Sequence, residues 1–312
     1  MEEIAALILK SGKAGVELAL FVLLPVMVVM LTIMRLLEAE NILDRIVNWI
    51  SPILHPLGIP GLGIFALIQT LFVSFAAPLA TLTMMDRSGT SRRHIAATLA
   101  MVFTMAQANV TFPMATFGLH VGTTILISLL AGLFSAAMTY HVFARHLPNE
   151  IEPPEPNLNH PQAANVKGVL QVINRAGREA FEIAVASIPM LILALLFVNI
   201  LQTVGVMGIL ETLLAPVFAL INYPSNSVLL IITKYIAGGT AMMGVSVDAL
   251  HQNAITVTEL NRMAGLLISP FDVAGVAILI SAGQRVASVL KPAAYGAIVG
   301  TVLKMLLHGL LY

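Results

Sequence analysis

Cysteine is absent from this chain. That excludes disulfides, thiolate metal sites and cysteine nucleophiles. Charge is scarce: 10% of the 312 residues are Asp, Glu, Lys or Arg, against roughly 25% in an ordinary soluble domain. The 16 basic and 16 acidic residues cancel, so there is no electrostatic footprint for a nucleic acid. No glycine-rich phosphate loop and no local Ser/His/Asp signature occur. The eight histidines show no metal-ligand spacing. Met1 to Lys10 holds two glutamates and no cleavage pattern, so it does not read as a signal peptide. No polar stretch is long enough for a soluble catalytic domain. The expectation is a protein that is not an enzyme and needs no cofactor or metal.

What is present is apolar surface. Hydrophobic residues make up 58% of the chain and the mean hydropathy is +0.92. A soluble fold of this length has no use for such a core. The composition predicts an all-α, polytopic membrane protein whose first partner is the lipid bilayer.

The chain also carries an approximate copy of itself. At an offset of 164, Pro25 falls on Pro189, Pro52 on Pro216 and Pro60 on Pro224. At 165, Gly12 falls on Gly177, Lys13 on Arg178 and Glu17 on Glu182. One single-residue slip between Glu17 and Pro25 reconciles the two offsets. The expected organisation is a first membrane repeat over 1–146, an exposed proline-rich linker over 147–170 and a second repeat over 171–312.

A crossing helix needs about 20 apolar residues. Candidates in the first half are Gly15–Leu37, Leu62–Met85, Ile95–Phe117 and Val121–Phe143. In the second half they are Glu179–Thr203, Ser225–Val247, Asn261–Gly283 and Pro292–Leu311. Asn41–Pro56 reads as an amphipathic helix, either lying at the interface with Trp49 at headgroup depth or buried between spans. Gly205–Asn222 takes its place in the second half. With every candidate counted as a crossing, most basic residues, both termini and the linker fall on one side, expected to be cytoplasmic. The repeats would be parallel if each half crosses four times. They would be inverted if one segment per half only re-enters the membrane.

A charge within a span costs about 3 kcal/mol on insertion scales, so such residues mark candidate sites. Glu17 and Glu182 head the first span of each half at matched positions. They are candidates for proton or cation coupling near the repeat axis, or plain interfacial acids. Ser269–Pro270–Phe271–Asp272 is a helix-start signature inside a span, with Ser269 as N-cap and Asp272 as its capping partner. Thr104 to Gln107 occupies the matching place, followed by Asn109, Thr111 and Pro113. Broken helices at matching positions of two repeats point to a transporter's binding site. Lys234 lies mid-span before Gly238 and Gly239 and needs a partner, for which Asp272 and Glu182 are candidates. Its neighbourhood parallels Ser74 to Pro78, so the second span of each half is expected to be disrupted. The candidate substrate-binding set is Gln107, Asn109, Lys234, Ser269 and Asp272. Small residues such as Gly132, Gly296 and Gly300 more simply mark tight packing.

Gly177 to Glu182 running into Ile188–Pro189, together with Leu57 to Pro60 and Ile221 to Pro224, resembles membrane proteins of the nucleoside-recognition, or Gate, family, here as two units. The resemblance implies membrane transport of a small polar solute, a nucleoside or related metabolite, coupled to an ion or proton. It also places the chain in a bacterial cytoplasmic membrane. The alternative is a non-transporting partner resembling the spore maturation proteins, assembling with itself or another membrane protein.

Overall fold

The computed structural model describes residues 2–40, 42–147, 168–205, 209, 212–213, 216, 218, 223–224 and 227–312. Among them every regular element is a helix. Helix α1 (Glu2–Glu17) runs through a π-helical turn, Leu18–Leu23, into α2 (Leu24–Ala39). Pro25 has no amide hydrogen to give the preceding turn, and the wider π turn lets the rod continue past it. The amphipathic α3 (Ile42–Leu54) follows. It exposes Trp49 to 77% while burying Leu43 and Leu54. The chain then bends by 106° at Gly58, whose φ of 81° is the left-handed geometry that glycine adopts freely.

Next come α4 (Gly61–Phe72) and α5 (Pro78–Arg87). They lie side by side, and the Thr81 hydroxyl donates to Gln69 Oε1 at 2.7 Å. Then α6 (Arg92–Thr104) and α7 (Ala108–Ala115) form one helix interrupted at 105–107. Helix α8 (Val121–Met138) closes the half, extended by a π turn to Phe143. The second half repeats the order. It has the long α9 (Val169–Thr203), the folded-back pair α10 (Ser227–Ala237) and α11 (Gly239–His251), and an interrupted pair, α12 (Val257–Leu267) and α13 (Val273–Ile280). The short α14 (Gln284–Ser288) and the long α15 (Leu290–Leu311) finish it. The expected second amphipathic helix and the linker lie mostly outside the described residues.

Among the described residues, five stretches are long and apolar enough to cross a bilayer: Ala5–Ala39, Arg92–Ala115, Val121–Phe143, Val169–Leu201 and Leu290–Leu311. The chain is a multi-pass membrane protein. Two expected crossings need correction: Leu62–Met85 and Ser225–Val247 are folded-back pairs. Asn261–Gly283 is broken into two helices, as the start signal at Ser269 to Asp272 implies. Composition cannot separate a crossing from a return trip. The separation comes from the backbone breaks at 73–77 and at Gly238, whose φ is 88°.

The long helices that open the two halves run in opposite directions. Ser11 accepts from Asn199 at 3.0 Å, and Arg35 clasps Glu179 with three bonds of 2.8, 2.9 and 3.1 Å. The two long helices therefore run antiparallel. At the offset of 164, Asn199 is the counterpart of Arg35 and Glu179 that of Gly15. Helix α9 packs along α1 and α2, while α15 packs on α6 and α8. The halves interleave.

This topology re-sorts the charges. Arg285 donates to the carbonyls of Asp86 and Thr90, and Arg93 to that of Tyr140. These contacts define one face, which also holds Arg35, Arg45, Arg87, Arg92, Arg145, Arg175, Arg178 and Lys291. On the opposite face Arg262 meets the Tyr312 carbonyl and His120 meets its hydroxyl at 2.8 Å. Lys10 and Lys13 lie there too. Both termini are therefore on the face poor in basic residues, because the two folded-back pairs return to the face they entered from.

Candidate functional site

Four interruptions of regular structure meet inside the bundle: 73–77, 105–107, Gly238 and 268–272. Each exposes backbone groups that a continuous helix would satisfy internally. Polar side chains link them. Asn109, at the start of α7, reaches both folded-back pairs. Its Oδ1 accepts from Phe75 N at 3.3 Å and its Nδ2 donates to Thr240 Oγ1 at 3.1 Å. Gln107 joins the two interrupted helices, donating to the Ser269 carbonyl at 3.3 Å. A Cβ on Gly239 would lie inside the Gln107 amide, so only glycine lets α11 come this close. Lys234, 0% exposed, forms an ion pair with Asp272 Oδ2. The other oxygen, Oδ1, accepts from Gly275 N at 2.8 Å and caps α13. A buried pair is held when each charge also has hydrogen bonds to use, and the cap supplies one.

The expected substrate-binding residues, Gln107, Asn109, Lys234, Ser269 and Asp272, are all buried and are brought into this one cluster. Two local details differ from expectation. Asp272, not Ser269, is the N-cap of α13. An extended Asp272 backbone starts the helix after Pro270 rather than at it. Gln107 makes no capping bond, and the Thr104 hydroxyl bonds back to Ala100 O at 2.9 Å inside α6. Lys234 pairs with Asp272, not Glu182.

Glu17 and Glu182 are not brought together. Glu17 is exposed and lies 3.9 Å from Lys13 on its own helix. Gly15, two residues earlier, packs against Ile192, so inversion sets Glu17 well along α9 from Glu182. Glu182 lies with Arg175, Arg178 and Glu179 on an open polar face of α9.

Three participants were not singled out from the sequence. Thr240 belongs to the Gly238–Gly239–Thr240 run but was not placed in the binding set, and Ser128 is an ordinary hydroxyl in an apolar helix. Ser128 accepts from Ala106 N at the first interruption. Lys304, also 0% exposed, carried the same signal as Lys234, a lysine within a span. The glycines expected to mark packing do so: Gly132 abuts Met105, Gly296 abuts Thr139 and Gly300 abuts Thr104.

Residues 20–139 match the family model for nucleoside recognition, Gate. No curated protein matches the chain. Among solved structures, the chain is similar to CNTnw in an inward-facing substrate-bound state, with a TM-score of 0.68 and 18% identity over 99% of this chain and 82% of that one. It is similar to a CNTnw variant in an outward-facing state, with a TM-score of 0.67 and 18% identity over 99% and 83%. A further variant, in an intermediate state, matches with a TM-score of 0.65 and 17% identity over 100% and 86%. The likeness shows the fold.

Proposed function

We propose that the protein is a nucleoside carrier working by alternating access, built from two inverted Gate-like copies, 1–146 and 171–312, with 147–170 between them. The observation that carries the proposal is the meeting of four chain interruptions at one buried polar cluster. Such breaks supply binding groups without a charge for every contact. The helix starts at Ala108, Gly239 and Val273 present amide donors of positive polarity. Gln107 and Asn109 each offer a donor and an acceptor, which suits a base edge. Asp272 and Lys234 together suit a ribose diol, the carboxylate accepting two hydroxyls. The family match in 20–139 and the fold of CNTnw, whose structures include inward- and outward-facing states, support the same reading. Coupling to a proton or cation belongs to the proposal. The buried cluster is a better seat for it than the exposed Glu17 and Glu182.

The test is counterflow. Purified protein in liposomes preloaded with unlabelled nucleoside will accumulate labelled nucleoside transiently, and protein-free liposomes will not. Absence of exchange across a nucleoside panel, with a second membrane protein co-purifying, would instead support the assembly-partner reading.

The setting is a bacterial cytoplasmic membrane, with the basic face inside. Both termini are then outside, the reverse of the orientation drawn from eight full crossings. The cysteine-free chain gives a direct check. A cysteine at Lys13, whose side chain is exposed, or at Tyr312 will react in intact cells with an impermeant maleimide. One at Arg145 will react only after lysis. The opposite pattern would reverse the assignment.

A further inference from the structure

Lys304 lies in α15 with its side chain fully buried, and no carboxylate pairs with it among the described residues. Its ammonium donates to two carbonyls, Ile268 O at 2.7 Å and Thr104 O at 3.0 Å. Thr104 is the last residue of α6 and Ile268 directly follows the last residue of α12. A helix C-terminus carries the equivalent of about half a negative charge. Two ends converging on one ammonium therefore supply about one unit, enough to balance it without an acid. Two glycines seat the side chain. Gly265 lets α12 approach the Lys304 backbone, where a Cβ would lie 2.6 Å from Lys304 O. Gly300 fits against Thr104. The Thr301 hydroxyl, one turn away on α15, is buried with no hydrogen-bond partner among the described residues.

Carbonyls at paired half-helix ends are also what broken-helix carriers use to hold a small cation. We propose that Lys304 is a tethered cation occupying such a place, so that the two interrupted helices are joined without a metal ion between their C-termini. This specifies the carrier reading and rests on it for its meaning. Its test needs no solute. Removing the ammonium leaves two inward-facing helix ends unbalanced, and a small monovalent cation then takes the vacated place.

Thermal unfolding of the purified full chain is measured in sodium, lithium, potassium and choline chloride at equal ionic strength. The wild type will melt at one temperature in all four. Lys304→Ala will melt several degrees lower in choline and recover along a saturating curve in sodium or lithium. Lys304→Arg, which keeps a tethered charge, will not respond to the choice of salt. The proposal is overturned if Lys304→Ala is equally stable in every salt, if it folds in none, or if the wild type shows the same saturating rise. A failure here leaves nucleoside exchange untouched. A failure of exchange leaves the salt result standing.

Discussion

Asp272→Asn is expected to insert, keep its local helix and carry no nucleoside. Asparagine is as good an N-cap as aspartate, so the bond from Gly275 N to the side chain at 272 survives and α13 still starts there. What is lost is the charge that Lys234 faces. That lysine is fully buried, and removing one member of a buried pair costs about 3–5 kcal/mol. The variant will therefore melt measurably lower and its counterflow will fall to background. The paired change Lys234→Gln with Asp272→Asn removes both charges. It will recover most of the melting temperature, because the cost lies in the uncompensated charge, but it will not recover exchange. Stability and transport thus separate in one series. Normal exchange by Asp272→Asn would remove the carboxylate from the site.

Gly239→Ala is expected to have the next largest effect. The added methyl would lie within the Gln107 amide and 3.3 Å from Val110 Cγ2. Gln107 is 1% exposed and bonded to the Ser269 carbonyl, so it has nowhere to go without breaking the link between α6–α7 and α12–α13. Overpacking of this kind costs about 1–3 kcal/mol. Exchange should drop at least about tenfold, since small misplacements in a binding site are costly. Adding Gln107→Ala relieves the clash and restores the melting temperature, yet leaves exchange low because the amide is gone. Gly12→Ala and Gly177→Ala meet no atom within 4 Å and serve as controls that should exchange normally. Unchanged transport by Gly239→Ala would show that α11 and α7 are apart in the working protein.

The legible parts of the fold were those written in residue type. Scarce charge and long apolar runs identified a membrane protein. The proline and charge register at 164 and 165 pointed to two halves, and the order of helices along each half follows that register. Ser269 to Asp272 identified a helix start where none belonged in a span. Gln107, Asn109, Lys234, Ser269 and Asp272 then converged in space because each sits at or beside an interruption. What was not legible was direction. Leu62–Met85 and Ser225–Val247 are as apolar as true crossings. Whether such a run continues or turns back depends on the backbone at 73–77 and at Gly238. Counting two returns as crossings put both termini on the basic-rich face. Glu17 and Glu182 looked like neighbours across an axis because their placements match, where the antiparallel packing of the long helices separates them. The contact of Thr240 with Asn109 was not legible, since it spans 131 positions and depends on how the halves nest. Lys304 could have been found by asking of it the question asked of Lys234.

The most direct measurement is equilibrium binding of a labelled nucleoside to the purified protein, wild type beside Asp272→Asn and Gly239→Ala. If the four interruptions form the solute site, the wild type binds saturably, unlabelled nucleosides compete, and both variants lose the signal while remaining folded. Equal binding by all three proteins, or none by the wild type across the panel, would contradict it.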